Sequence, residues 1–97
     1  MTISIETIAN RGVPHTYTGT ATTVAAEVEF DNTTGWIQIL NKSVEVDLYV
    51  SLDGGTTYTT IFPLGSTPVF SACFLDSVYV KTLSSTAGYD INTGEES

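Results

Sequence analysis

Between residues 44 and 52, apolar and polar side chains alternate without a break. Val44, Val46, Leu48, Val50 and Leu52 fall on one side, and Glu45, Asp47, Tyr49 and Ser51 on the other. A repeat of two is the side-chain period of an extended strand, whereas a helix over the same stretch would scatter its apolar residues around the cylinder. The pattern predicts a strand with one face on a core and the other in water. Composition carries the same preference to the rest of the chain. Nine valines, seven isoleucines and seventeen threonines stand among 97 residues, and these β-branched side chains lose rotamer freedom in a helix but pack well on a pleated surface.

Shorter stretches of alternation run through residues 2–7, 36–41 and 23–30, the last with Val24, Ala26, Val28 and Phe30 inward. Asp53, Gly54 and Gly55 interrupt the long strand, and residues 56–62 resume an extended pattern, so the two are expected to close as a hairpin through a glycine-permitted turn. Further strands are expected at 69–75, 77–83 and 89–91, with turn clusters at 10–14, 31–35, 41–43, 64–68 and 84–88. Short strands at that spacing predict an all-β chain folded as a small antiparallel β-sandwich, with the jelly roll among its forms. One domain is expected over residues 1–91, with 1–10 as a candidate extended arm and 92–97 as an acidic, solvated tail.

Charge excludes some partners. Arg11, Lys42 and Lys81 face eleven carboxylates, for a formal net charge of −8. Such a chain has no basic stripe to neutralise phosphates and is repelled by nucleic acid and by anionic membranes. No window is long and apolar enough to span a bilayer, and the opening residues lack the basic and apolar run of a secretory signal, so synthesis in the cytoplasm is expected.

Catalytic chemistry finds little to use. The single histidine, His15, falls in an expected loop with no nucleophile tied to it, and the single cysteine, Cys73, reads as a buried thiol that has no partner for an intramolecular disulfide. One Cys and one His give no zinc spacing. Glu27 with Glu29, and Glu45 with Asp47, each share a strand face. As neighbours they would offer oxygens to a hard cation such as calcium, and as a solvated outer face they need no ligand. The reading is a non-enzyme without catalytic residue, metal or cofactor. Trp36, Tyr17, Tyr49, Tyr58, Tyr79 and Tyr89 are candidates for an aromatic sugar platform or for simple cover of a sheet.

Contact with another protein has two candidate places. Ile3, Ile5 and Ile8 punctuate a polar terminal stretch, which suits an arm added to a neighbour's strand edge or an ordinary first strand of the chain's own sheet. Phe62 and Leu64, in an apolar connection that also holds two prolines and Phe70, suit a plug over the end of the sandwich or a contact patch.

Two resemblances sharpen this. Ser51-Leu52-Asp53-Gly54-Gly55-Thr56-Thr57-Tyr58 resembles the Asp-box, S-x-D-x-G-x-T-[FW], of sialidases and many other β proteins, with Tyr58 where that motif has Phe or Trp. In the Asp-box the acid and glycines organise a hairpin turn above the aromatic, so the resemblance implies a structural turn built from Ser51, Asp53, Gly54, Gly55 and Tyr58. More broadly, residues 44–91 are similar to small virion proteins of tailed bacteriophages, through the Asp53-Gly54-Gly55 hairpin and the ending Val78-Tyr79-Val80-Lys81-Thr82 followed by Tyr89-Asp90-Ile91. That resemblance implies a capsid decoration or cement protein on the outside of a phage head. It would bind the major capsid protein, associate with itself as a trimer, and touch neither nucleic acid nor membrane. The alternatives are a tail or fibre-base module and a carbohydrate-binding adhesin.

Overall fold

The computed structural model describes residues 13–71 and 74–95. Its strands are β1 (Val13–Ala21), β2 (Ala26–Glu29), β3 (Thr34–Asn41), β4 (Leu48–Ser51), β5 (Thr59–Ile61), β6 (Phe70–Ser71), β7 (Ser77–Lys81) and β8 (Ala87–Glu95). They form two four-stranded antiparallel sheets, ordered β1-β8-β3-β6 and β2-β7-β4-β5. Within them β1 pairs with β8, β2 with β7, β3 with β6 and β4 with β5. The chain is thus one long hairpin rolled up so that successive strand pairs fall in opposite sheets, which is a jelly roll. The expected antiparallel sandwich takes this form.

The core lies between the sheets. Ile37, Ile39 and Ile91 of the first sheet meet Leu48, Val50, Ile61, Val78 and Val80 of the second, each at most 3% exposed. Burying each such side chain is worth about 1.5–3 kcal/mol. On the outer face of the first sheet the Trp36 indole lies across Gly94 of the neighbouring strand, so closely that a Cβ at residue 94 would sit 1.9 Å from Trp36 Nε1.

Rolling the hairpin sorts the connections into two ends. One, here the distal end, gathers residues 22–25, 42–47, 62–69 and 82–86; the proximal end gathers 30–33, 52–58, 74–76 and the entry into β1.

Several expectations need correction. β1, with His15 in it, is a nine-residue strand where a turn and a loop were expected. Its inward positions after Val13 are His15, Tyr17, Gly19 and Ala21, and threonines fill the outer face at 16, 18 and 20, so no aliphatic alternation marks it. Residues 92–95 are not a solvated tail but the second half of β8, and Glu95 is fully buried. An acidic composition concealed the strand because its inward residues there, Thr93 and Glu95, are polar. The long alternating stretch is a strand only from Leu48. Upstream, Asn41 Nδ2 donates to the carbonyls of Val46 (2.8 Å) and Ile61 (2.9 Å), and the Ser43 hydroxyl accepts from the N–H groups of Glu45 (3.2 Å) and Val46 (3.0 Å). These side chains capture backbone groups that a sheet ladder would otherwise use, and the segment turns. Val44 consequently lies outside, 72% exposed, rather than inward; Val24, also 72% exposed, lies in the β1–β2 connection, where its N–H donates to the Thr22 hydroxyl at 3.2 Å. Ile3, Ile5, Ile8 and Cys73 fall outside the described residues.

Candidate functional site

At the proximal end, the turn over residues 51–58 is organised by Asp53. Its Oδ1 accepts from the Ser51 hydroxyl (2.7 Å) and from the N–H groups of Thr57 (2.9 Å) and Thr56 (3.2 Å), and its Oδ2 from the Thr57 hydroxyl (2.6 Å). The Ser51 hydroxyl accepts in turn from Gly55 N–H at 2.8 Å. Gly54 and Gly55 carry φ of 78° and 91°, values that L side chains resist. The hydrogen bonds from Thr57, and then that from Ser51, hold the Asp53 carboxyl well below the usual carboxylate range. With every donor local, this carboxylate is a structural hub of the hairpin. Tyr58 follows it with its ring 4.2 Å beneath the Lys81 ammonium.

Deeper in the same end lies a polar network that nothing in the sequence marks. Glu95 Oε2 accepts from the Tyr17 hydroxyl (2.8 Å) and from the Thr93 hydroxyl, while Oε1 accepts from Asn32 N–H at 2.9 Å. The Tyr17 oxygen also accepts from Asp31 N–H at 2.9 Å, and its ring packs on Phe30 with centroids 5.1 Å apart. Burial raises the Tyr17 phenol above its ordinary value, which keeps it a donor. His15 Nδ1 stands 4.0 Å from Glu95 Oε2 with the imidazole side chain 30% exposed. An imidazole beside a carboxylate is the raw material of general base catalysis, but this carboxylate already receives three donors and is covered by them. Among the described residues no three His, Cys, Asp or Glu side chains gather closely enough to hold a metal ion. Glu27 and Glu29 in β2, and Glu45 and Asp47 in the β3–β4 connection, do not form such a group.

The distal end inverts these properties. Val24, Val44, Phe62, Leu64 and Leu83, from four different connections, are between 68% and 72% exposed. Backbone hydrogen bonds tie those connections into one surface: Leu64 N–H donates to Ser43 O (3.0 Å), Lys42 N–H to Gly88 O (2.9 Å) and Thr82 N–H to Thr22 O (2.8 Å). Phe62, Pro63, Leu64 and Gly65 make a tight turn closed by Gly65 N–H on Phe62 O at 2.8 Å. Leu64, at its third position, has φ of 60°. That place normally goes to glycine or asparagine, because a β-carbon there costs about 1–2 kcal/mol. The chain therefore holds a large apolar side chain in water on a strained backbone. The same end carries a cleft of about 310 Å³ lined by Glu45, Val46, Asp47, Tyr49, Leu83 and Ser84.

The sequence-expected residues are thus divided. Phe62 and Leu64 lie at the distal end, exposed rather than plugging the sandwich, while Ser51, Asp53, Gly54, Gly55 and Tyr58 lie at the other end of β5. Val24, Val44 and Leu83 join the distal surface without a sequence signal, since each sits in a pattern that reads as inward or strand-terminal. Of the aromatics, Tyr89 is buried in the core cluster, Tyr17 packs against it, and Trp36 covers Gly94. Tyr49 lines the distal cleft.

Comparison with known proteins places the fold. No family model and no curated protein matches the sequence. Among solved structures the chain is similar to a cupin domain of an XRE-family transcriptional regulator from Enterobacter cloacae, with a TM-score of 0.61 at 15% identity, covering 87% of this chain and 83% of that one. It is also similar to a de novo designed double-stranded β-helix, with a TM-score of 0.51 at 19% identity over 82% of this chain and 96% of the design. A Bacillus endospore appendage protein that forms disulfide-linked pili gives a TM-score of 0.51 at 13% identity, covering 86% and 84%. The protein is therefore an all-β jelly roll of the double-stranded β-helix type. Enzymes share this fold too, so the fold alone does not decide between catalysis and assembly.

Proposed function

We propose that this chain is a non-enzymatic structural module of a bacteriophage particle: a capsid decoration protein that docks on the outside of the head and stabilises contacts between major capsid subunits. The observation that carries the reading is the distal surface. Five apolar side chains about 70% exposed, one of them held on an unfavourable backbone, are a cost to a free monomer and become favourable once a partner covers them. A module that binds only the assembled shell shifts the equilibrium toward that shell by mass action, and many copies multiply the effect. An acidic body suits the outside of a particle, because it gains nothing from the packaged genome. The endospore appendage adds that a body of this shape is used elsewhere as an assembly subunit. The non-enzymatic part of the reading rests on the burial of Glu95 beneath its three donors beside His15. The test is co-sedimentation with capsids assembled from the major capsid protein of the same genome. Saturable pelleting, weakened at least about tenfold by Phe62→Ser with Leu64→Gly, is the expected result. A protein that stays in the supernatant at every concentration refutes the reading.

A second reading has its own observation. Tyr49, Glu45, Asp47 and Ser84 around the distal cleft combine an aromatic face with hydrogen-bonding groups, the makings of a glycan site. Saturable glycan binding abolished by Tyr49→Ala would favour an adhesin.

A further inference from the structure

We propose that the distal surface is covered by residues 1–12 of a second copy of this chain, so that copies join end to end through their N-terminal segments. The inference rests on the reading of the distal surface as a protein-docking site and names its occupant.

Position is the first argument. β1 begins at Val13, paired with Glu95, and ends at Ala21, paired with Ala87. The segment before Val13 therefore leaves from the proximal end, a nine-residue strand away from Val24, Val44, Phe62, Leu64 and Leu83. That strand is roughly 30 Å long, and twelve residues reach at most about 40 Å. Turned back along its own sandwich, the segment would use most of its length in transit and leave Ile8 short of the distal surface. Pointed away from its own body, it brings all three isoleucines to the distal end of a copy stacked beyond it.

Chemistry is the second argument. Ile3, Ile5 and Ile8 supply apolar side chains to an apolar surface. Glu6 and Arg11 are the only charged side chains in the first twelve residues and they cancel, so the net charge of −8 belongs entirely to the remainder of the chain. Copies with this net charge repel one another as wholes, and a segment without net charge adds nothing to that repulsion. Because the two contacting surfaces lie at opposite ends, the junction is heterologous: copies close into a ring when the rotation between neighbours permits it and otherwise extend as a chain.

Sedimentation velocity of the full chain, over a wide concentration range, tests the proposal with two full-length variants that leave the net charge unchanged. One carries Ile3→Ser, Ile5→Ser and Ile8→Ser; the other carries Phe62→Ser and Leu64→Gly. The expected result is self-association of the parent, weakened about thirtyfold or more in each variant. Mixed together, the variants form a species of two chains and nothing larger, because the mixture contains one intact segment and one intact surface per pair. A parent that is monomeric throughout overturns the proposal, as does a segment variant that associates like the parent or a mixture that stays monomeric. Loss of cooperative thermal unfolding in the segment variant also overturns it, since residues 1–12 would then belong to their own sandwich. Capsid pelleting separates this from the functional reading. A monomer that pellets with capsids, and stops doing so with Phe62→Ser and Leu64→Gly, overturns the end-to-end junction alone. Chains that associate as described but ignore capsids uphold the junction and refute the decoration role.

Discussion

The two ends of this jelly roll break the ordinary rule of burial in opposite senses. The proximal end buries a carboxylate, at 0% exposure for Glu95, and exposes one large apolar side chain, Phe74, whereas the distal end displays five that are 68–72% exposed. At the proximal end the cost of removing a polar group from water is met inside the molecule, by Tyr17, Thr93 and the Asn32 backbone. At the distal end no comparable compensation exists within the described chain, and the backbone at Leu64 adds strain of its own. A buried polar group with a complete set of partners is evidence about folding. Exposed apolar groups on a strained turn are evidence about association.

Variants can break that contrast. Glu95→Ala is expected to have the largest effect, a loss of about 3–5 kcal/mol in denaturant unfolding, because three donors lose their acceptor in a closed site; unchanged stability would show the network to be dispensable. Gly94→Ala is expected to cost about 1–3 kcal/mol in the same measurement, since its β-carbon overlaps the Trp36 indole, and a Gly94→Ala, Trp36→Ala double variant should recover part of it.

Asp53→Asn is expected to act less on global stability and more on its pH dependence. The folded carboxyl titrates below its ordinary value of 3.8, so its contribution is complete above that value and is lost as pH falls toward the folded pKa. The parent should show falling thermal midpoints below about pH 4, and Asp53→Asn should flatten that limb.

Leu64→Gly is expected to have the smallest and opposite effect. Relief of the left-handed strain, offset by the greater freedom of glycine in the unfolded chain, leaves a gain of up to about 1 kcal/mol. Stability that rises while docking falls would sharpen the contrast between the two ends; a fall in stability would mean that Leu64 packs for folding.

Some of this architecture is legible in the chain and some is not. Leu48, Val50, Val78 and Val80 alternate with polar neighbours and are buried as that pattern requires. The Asp53 turn is readable because all its hydrogen bonds join residues at most four apart. β1 and the end of β8 are hidden, since their inward residues His15, Tyr17, Thr93 and Glu95 are polar, and the Tyr17 hydroxyl reaches Glu95 from 78 positions away in the chain. The distal surface is hidden in the opposite way. Val44 and Val24 belong to patterns that look inward, and only the side chains of Asn41 and Ser43, by capturing local backbone, turn Val44 out.

The sequence by itself determined the all-strand character, the antiparallel sandwich and the turn after β4, because side-chain period and local hydrogen bonding act between near neighbours. Tertiary structure decided which end would be polar within and which apolar without. Burial depends on what the rolled hairpin brings alongside each residue, and that is set by pairing between strands far apart in the chain.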